Sequence, residues 1–371
     1  MIYFDNAATG GFKPNFVLES ATDTLKHLLC NPGRSAHRLS VKAEEFIFNT
    51  REAVSNFFNN GSIERIIFTK NCTESLNTAF FGILKKGDHV ITTTLEHNST
   101  LRPLTYLKNL GVITLDIVDK ENLYENVLKK VNKNTRLITV NQVSNVTGEE
   151  QNIKDLGDFC SKNNILFSVD GAQSAGHIKI DMKEQNIDIL SIPTHKGMYG
   201  LTGGVLILSK RVDISPFILG GTGTETFNLN QPTTFPEKLE SGTLNLPLIV
   251  SFFDSVNYVK NNLDFFAKRL ENLTSILIDR LKIFDKIKIY SNKNKSGIVS
   301  FDFTPFSSMQ VADYLNKNYD IAVRGGYHCA PLVHKSLGTS KNGLVRVSLA
   351  PENNENELSV LISALKNLSL S

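Results

Sequence analysis

The chain has 371 residues, of which 41% are hydrophobic and 21% are charged, and its formal net charge at pH 7 is +3. This length is enough for two domains with separate cores, and the composition is that of an ordinary globular protein. The charge is spread along the sequence, which argues against a nucleic-acid-binding surface and against a membrane-binding patch.

The first residues, Met1 to Thr9, contain no basic and apolar leader, and no apolar run approaches the length of a membrane span. We therefore expect a cytoplasmic protein. The four cysteines are Cys30, Cys72, Cys160 and Cys329. They lack the short paired spacing of zinc ligands and are too few for a disulfide framework, so we expect reduced thiols and no metal site.

The first part of the chain predicts a large α/β domain over residues 16–245. An extended opening leads to a turn-rich loop at 31–37 and an amphipathic helix from about Val41 to Phe58. Short apolar runs then mostly alternate with helical segments, which predicts a mainly parallel seven-stranded sheet covered by helices on both faces. The predicted strands are Arg65 to Thr69, His89 to Thr93, Val112 to Ile117, Leu137 to Asn141, Ile165 to Val169, Ile187 to Ile192 and Gly204 to Leu208.

From Leu246 the pattern predicts a smaller α+β domain over residues 246–371, with residues 1–15 packed on it. Apolar residues recur at steps of three and four from Leu263 to Leu281, which predicts one long helix. Shorter elements follow, with strands at Ile287 to Tyr290, Gly297 to Phe303, Ile321 to Arg324 and Val345 to Leu349, and helices near Ser308 to Lys317 and Asn354 to Leu368.

Two of the predicted strands end next to groups that suit pyridoxal phosphate. Asp170 follows one strand, and His195 and Lys196 follow another. Open α/β sheets bind ligands at the carboxyl ends of their strands, where a lysine can form a Schiff base and an aspartate can pair with the pyridinium nitrogen. Each residue alone also fits an ordinary role, the aspartate as a cap or turn former and the lysine as a solvated charge.

Three further strand ends supply matching chemistry. Cys72 and Thr73 open a helix whose free N–H groups could hold a phosphate, although this segment taken alone favours simple capping of the helix by Thr73. His97 is either a ring that stacks on a flat cofactor or a loop histidine. Asn145 is either a donor to a phenolate oxygen or a turn former. Because these types occur at successive ends of one predicted sheet, we favour a shared cofactor site.

With these residues in place, the chain resembles the class V (fold type I) pyridoxal-phosphate enzymes, and within them the cysteine desulfurase family. The similarity runs from Tyr3-Phe4-Asp5-Asn6-Ala7-Ala8-Thr9 to Val345-Arg346-Val347-Ser348-Leu349. Its most specific part is similar to the R-x-G-x-H-C-A segment of the group II, SufS-like branch, and reads Arg324-Gly325-Gly326-Tyr327-His328-Cys329-Ala330-Pro331.

The resemblance implies a role for each site residue. Lys196 is the Schiff-base lysine, Asp170 the partner of the ring nitrogen, and His97 the stacking ring. Asn145 and Gln173 contact the phenolate side of the cofactor. The phosphate is bound by Thr73, the Cys72 amide, His195 and, from a partner subunit, Thr243. Arg346 holds the substrate carboxylate, with Arg324 and Asn145 beside the substrate. Cys329 is the nucleophile, whereas the other three cysteines are structural.

The implied activity is a cysteine desulfurase that acts as a homodimer with pyridoxal 5'-phosphate. L-cysteine, or L-selenocysteine, would yield L-alanine and a persulfide on Cys329, whose sulfur passes to an acceptor protein or a small thiol, for example in iron-sulfur cluster assembly. Pro193 stands where the family usually has a hydroxyl, and Thr194 is the candidate replacement. Selenocysteine lyase, another C–S lyase or an aminotransferase remains an alternative. A nucleotide-binding enzyme or non-catalytic scaffold is disfavoured because neither a G-x-G-x-x-G after the first strand nor a P-loop is present.

Overall fold

A computed structural model describes residues 1–33 and 35–370. Within them the strands are β1 Ile2–Tyr3, β2 Ile66–Thr69, β3 Asp88–Thr93, β4 Ile113–Val118, β5 Thr135–Asn141, β6 Leu166–Asp170, β7 Ile189–Pro193, β8 Gly204–Leu208, β9 Ile287–Ile289, β10 Ile298–Phe303, β11 Ile321–Ala322 and β12 Val345–Ser348. The helices are α1 Asn15–His27, α2 Arg38–Phe57, α3 Cys72–Ile83, α4 Asn98–Asn109, α5 Leu123–Leu128, α6 Lys154–Lys162, α7 Leu246–Leu281, α8 Ser308–Tyr319, α9 Pro331–Ser336 and α10 Glu355–Leu370.

A seven-stranded sheet in the order β2-β8-β7-β6-β5-β3-β4 forms the centre of the larger part. β8 is antiparallel to both of its neighbours, β2 and β7, and the other ladders of this sheet are parallel. The predicted mainly parallel α/β sheet is therefore confirmed. Every residue of β6, β7 and β8 is buried, as continuous apolar strands require when helices cover both faces.

The two faces of this sheet build two cores, because side chains along a strand point alternately to opposite sides. In β2, Ile66 and Phe68 join the core that contains α2, α6 and the first half of α7, whereas Ile67 joins the core under α3 and α4. The polar residues that end the strands lie beyond these cores. The sheet thus fixes the positions from which the strand ends project.

The C-terminal part has a core of its own. β12, β10 and β9 form an antiparallel sheet, and β1 pairs in parallel with β11, so the N-terminal strand joins this part. The helix α7 begins at Leu246, capped by Asn245, and packs into the large core up to Phe266 and into the small core from Leu270 onward. Because one helix serves both cores, the division at 245/246 stays a prediction.

Two sequence expectations need correction. The stretch before the loop at 31–37 is not extended, since residues 15–27 form α1. The expectation that Cys30 ends a helical stretch is also wrong, because α1 ends at His27, three residues before Cys30. The predicted loop includes Arg34, which lies outside the described residues. No helix among the described residues is both long and apolar enough to cross a bilayer.

Candidate active site

The strand ends of the large sheet open into a cavity of about 380 Å³. The register places Asp170 at the end of β6 beside Asn141 of β5 and Ser191 of β7, so these ends form one edge. The cavity is lined by every predicted site residue except Cys329 and Thr243. The predicted convergence of the strand ends is therefore present in the structure, while the role of each residue stays a prediction.

Asp170 lies at the floor of this cavity. The side chain is buried, and its Oδ1 accepts a hydrogen bond from the Ala172 N–H at 2.9 Å and contacts the Cys72 thiol at 3.8 Å. Burial raises the pKa of Asp170, and the Lys196 ammonium and these hydrogen bonds oppose the rise. A cation brought close to the carboxylate would lower that pKa again, which is the environment a protonated ring nitrogen needs.

Lys196 faces the same cavity from the loop after β7. Burial lowers the pKa of its amine, and the nearby Arg346 and Arg324 cations act in the same direction. A lysine with a lowered pKa carries more of the neutral amine at a given pH, which is the form that attacks a carbonyl group. The local chemistry thus suits covalent attachment of an aldehyde.

The N-terminus of α3 points its first turn at the cavity. The N-cap is Asn71, whose side chain accepts from the Glu74 N–H at 3.0 Å, so the alternative that Thr73 caps the helix is wrong. Cys72 and Thr73 instead occupy the first two helical positions, where backbone N–H groups have no acceptor within the helix. Together with the helix dipole, these donors form an anion site of the kind that binds phosphate.

Three histidines line the cavity, namely His97, His195 and His328. His97 caps α4, and its Nδ1 accepts from the Ser99 N–H at 3.0 Å, which fixes the orientation of the ring. Burial, with neighbouring cations, lowers the pKa of His97 to about 4 and that of His195 to about 4. His97 is therefore an uncharged flat surface at neutral pH, which suits stacking.

The opposite wall carries amides and a guanidinium. Asn145 Nδ2 donates to the His328 carbonyl at 2.7 Å, and Gln173 Nε2 donates to the Ala7 carbonyl at 2.9 Å. Arg346 Nη1 donates to the Asn145 carbonyl at 3.0 Å. Within the described residues, three buried atoms on this wall have no hydrogen-bond partner: Asn145 Oδ1, Gln173 Oε1 and Arg346 Nε. Buried polar atoms without a hydrogen-bond partner indicate that this wall binds a polar ligand.

Cys329 lies at the mouth of the cavity and not in its lining. The residue is exposed, and its Sγ is 3.9 Å from Arg324 Nη2. Both His328 and Cys329 have left-handed backbone angles, with φ of 49° and 57°, a conformation that side chains other than glycine and asparagine seldom adopt. The Cys329 carbonyl accepts from the Asn98 N–H at 2.8 Å, which ties this bend to the start of α4 beside His97.

Three threonines complete the surroundings. Thr243 lies in a neighbouring depression of about 310 Å³ that also contains Thr202. Thr202 lines both spaces, and sequence reasoning missed it because nothing in its local pattern marks it. Thr194 does not line the cavity, and its hydroxyl donates a hydrogen bond to the Leu201 carbonyl. Among residues 1–33 and 35–370, no cluster of metal-ligating side chains is present.

Pyridoxal phosphate fits the residues of this cavity. The cavity combines a buried carboxylate, an amine with a lowered pKa, a helix N-terminus and unpartnered polar atoms. Asp170 would hold the ring nitrogen, Lys196 the aldehyde carbon, and the first turn of α3 the phosphate. When bound, this cofactor supplies an electron sink for charge that develops on an amino-acid substrate.

The comparisons with known proteins agree with this site. Residues 2–361 match the model of the family described as "Aminotransferase class-V". The chain belongs to the class V aminotransferase family. Within this family, it is 34% identical over 388 residues to a probable cysteine desulfurase of Pyrococcus abyssi, covering 99% of this chain and 94% of the relative.

Other relatives in the class V family carry the same name. A probable cysteine desulfurase of Borreliella burgdorferi is 33% identical over 387 residues, covering 99% of this chain and 91% of the relative. The apo structure of a cysteine desulfurase from Thermococcus onnurineus NA1 superposes with a TM-score of 0.91 at 31% identity, covering 99% of this chain and 94% of that one. The expected class V fold is thereby confirmed.

Proposed function

We propose that this class V family member is a pyridoxal-phosphate-dependent cysteine desulfurase. The observation that carries the proposal is the exposed Cys329 thiol, next to the Arg324 guanidinium, at the mouth of a cavity that contains Lys196 and Asp170. The similarity to proteins named cysteine desulfurase supports the same activity.

Each step uses a group already in place around the cavity. Arg346 binds the α-carboxylate of L-cysteine, since a planar guanidinium matches a carboxylate with two hydrogen bonds. The free amine of Lys196 removes the Cα proton. The Cys329 thiolate then attacks the substrate sulfur, so that an S–S bond forms on Cys329 while the substrate C–S bond breaks. The electron pair of the C–S bond stays with the substrate, Cβ takes up a proton, and Cα recovers the proton that Lys196 removed, so that the product leaves as L-alanine.

Arg324 supports the nucleophile in this scheme. The thiolate is the nucleophilic form of cysteine, and a guanidinium next to the sulfur can donate a hydrogen bond to it during the attack. The Arg324 guanidinium is the cation in contact with Cys329 Sγ, and it also lines the cavity. Arg324 therefore connects the nucleophile to the space in which the substrate binds.

We assign the chain to the group II, SufS-like branch on its 324–331 segment, in which His328 and Cys329 are adjacent. The persulfide sulfur would pass to an acceptor protein or a small thiol, with iron-sulfur cluster assembly as the expected use, and L-selenocysteine is an alternative substrate. The sulfur is accessible for such a transfer because Cys329 is exposed at the surface.

The segment before Thr243 supports a homodimer as the active unit. Phe217, Ile218 and Leu219 are 45%, 46% and 69% exposed, and both Phe227 and Leu229 are 100% exposed. An apolar group of this size at a surface indicates an interface. Thr243 lies in a depression outside its own cavity, as a residue that serves the partner's phosphate would.

The test is conversion of L-cysteine by the holoenzyme under reducing conditions, with alanine and sulfide quantified. Equal amounts of both products, abolished in Cys329→Ser, support the proposal. Cys160→Ser is the matched control because Cys160 is buried inside the large core. Turnover of L-selenocysteine alone, or turnover that survives Cys329→Ser, would indicate a lyase that does not use this thiol.

A further inference from the structure

The strongest unexplained contact at the site is made by Arg346, the predicted binder of the substrate carboxylate. Arg346 lies on β12 and is 1% exposed, yet it lines the cavity. Its Nη2 donates to Asp5 Oδ1 at 2.9 Å, and its Nη1 donates to the Asn145 carbonyl at 3.0 Å. A guanidinium has five N–H groups, so donors remain for a ligand. Nε is buried and has no partner within the described part of the chain.

Asp5 is held rigidly against the strand that carries Arg346. The Ser348 N–H donates to the Phe4 carbonyl at 2.7 Å, and the Ser348 hydroxyl accepts from the Ala7 N–H at 2.9 Å. Asp5 itself forms a parallel bridge with Ser348. The backbone of Asp5 is therefore fixed against β12 on both sides of the residue, and its carboxylate is held by the contact with Arg346.

The same N-terminal segment reaches the cofactor side of the cavity. Ala7 and Ala8 line the cavity, and the Ala7 carbonyl accepts from Gln173 Nε2 at 2.9 Å. A single short stretch thus contacts both the Arg346 guanidinium and the Gln173 amide. Ala7 and Ala8 are part of the wall of the site, and Asp5 contacts that wall through Arg346.

The balance of charge around Arg346 requires an anion at this place. Lys196 and Arg324 face the same cavity, and Arg324 is also paired with Arg346 through their backbones. Within residues 1–33 and 35–370, the carboxylates near these cations are Asp170 on the floor and Asp5, and of these two Asp5 contacts the guanidinium. Since an unpaired buried cation is costly, the Asp5 carboxylate both retains the charge of Arg346 and fixes one edge of it.

We propose that Asp5 is a positioning residue for substrate binding, which orients Arg346 so that its remaining N–H groups meet the α-carboxylate of an amino-acid substrate. This inference rests on the proposed function only for the identity of that substrate. A competing possibility is that Asp5 occupies the place of the substrate carboxylate, in which case its removal would strengthen binding.

The test compares Asp5→Ala and Asp5→Asn holoenzymes with the wild type. Two quantities are measured: kcat and KM for L-cysteine, and the dissociation constant for L-alanine from the change in absorption of the holoenzyme. A hydrogen bond to a charged group predicts that Asp5→Ala raises KM and the L-alanine dissociation constant by roughly tenfold to a hundredfold, with kcat changed by less than about twofold. Asp5→Asn, which keeps an acceptor, should give a smaller rise.

The control is Asp320→Asn. Asp320 also anchors the N-terminal segment, through an ion pair at 2.8 Å with the Met1 amino group, but it does not contact Arg346. The Asp320→Asn variant should therefore have the same KM and kcat as the wild type. In an Arg346→Lys background, adding Asp5→Ala should change neither constant further, because the group through which Asp5 acts is gone.

Three results would overturn the proposal. A lower KM in Asp5→Ala would make Asp5 a competitor, a fall in kcat at constant KM would point to a general structural effect, and unchanged L-alanine binding would remove the link to the carboxylate. If the wild type fails to desulfurise L-cysteine but L-alanine binding weakens as expected, the positioning role stands and the proposed function falls. Should Asp5→Ala fail to fold, Asp5→Asn decides on the same criteria.

Discussion

A buried ion pair near the site offers a prediction whose size can be worked out. Arg51 Nη2 and Glu240 Oε2 are 2.6 Å apart, and both side chains are nearly inaccessible, at 6% and 5% exposure. Glu240 Oε1 also accepts from the Phe68 N–H at 2.7 Å, and Arg51 donates to the Ile66 carbonyl. The pair therefore fastens α2 and β2 to the segment that leads to Thr243.

Arg51→Met should be strongly destabilising because it leaves the Glu240 carboxylate buried without its cation. Breaking one side of a buried pair costs about 3–5 kcal/mol. With an unfolding entropy of about 2.1 cal/mol/K per residue, a chain of 371 residues loses about 4–6 °C in Tm for that change. Adding Glu240→Gln removes the stranded charge but keeps an acceptor for Phe68, so the double variant should recover at least about 1 kcal/mol.

Thermal unfolding of the cofactor-free protein measures both effects. Lys317→Met is the matched control, since its partner Asp313 is also 2.8 Å away but both side chains are exposed, at 69% and 58%. Surface pairs contribute little, and we expect a shift of well under about 1 °C for it. The expectation is wrong if Arg51→Met melts at the same temperature as the control. It is also wrong if the double variant loses as much stability as Arg51→Met and Glu240→Gln lose together when measured singly.

Three further outcomes are expected. Burial raises the pKa of Glu96 to about 8 in the folded chain, so the free energy of unfolding should fall as pH rises from about 4.3 to about 8. Urea unfolding of Glu96→Gln should show a smaller fall over the same pH range. A pH profile of the variant that runs parallel to that of the wild type would contradict this. Because the pKa of Lys196 is lowered, uptake of pyridoxal phosphate by the apoprotein should be half-maximal at a pH below the ordinary lysine pKa of about 10.4. A midpoint pH equal to that of free Nα-acetyl-lysine would contradict this. In Gly157→Ala the new Cβ would lie 1.9 Å from the Gln185 carbonyl oxygen, so Tm should drop by the equivalent of about 1–3 kcal/mol. In Gly221→Ala the new Cβ would meet no atom within 4 Å, so this control should not show that drop.

The large sheet was predictable from the sequence because strands buried on both faces are continuous apolar runs. β6 and β7 are examples, with five buried residues each. The helix α1 was missed for the opposite reason. Phe16, Leu18 and Leu25 are 43%, 44% and 55% exposed, so apolar residues occur on more than one face and the helical period is obscured. Its place is decided by tertiary contact with α7.

The site was predictable where chemistry follows directly after a strand, as it does for Asp170 and Lys196. The capping residue of α3 was missed because Asn71 and Thr73 are both good caps, and the choice depends on where the helix begins. Asp5 was not recognised as a site residue because its partner Arg346 is 341 positions away in sequence. Only the pairing of the first residues with β12 brings the two together.

Formation of a persulfide on Cys329 can be measured in a single turnover without reductant. Holoenzyme is mixed with an equal amount of L-cysteine, and alanine is quantified while the protein is analysed by mass spectrometry. We expect one alanine per chain and a protein heavier by one sulfur atom. The added sulfur should lie on the peptide that contains Cys329 and should be absent in Cys329→Ser. Alanine formed with unmodified Cys329, or sulfur found on Cys72 instead, would contradict it.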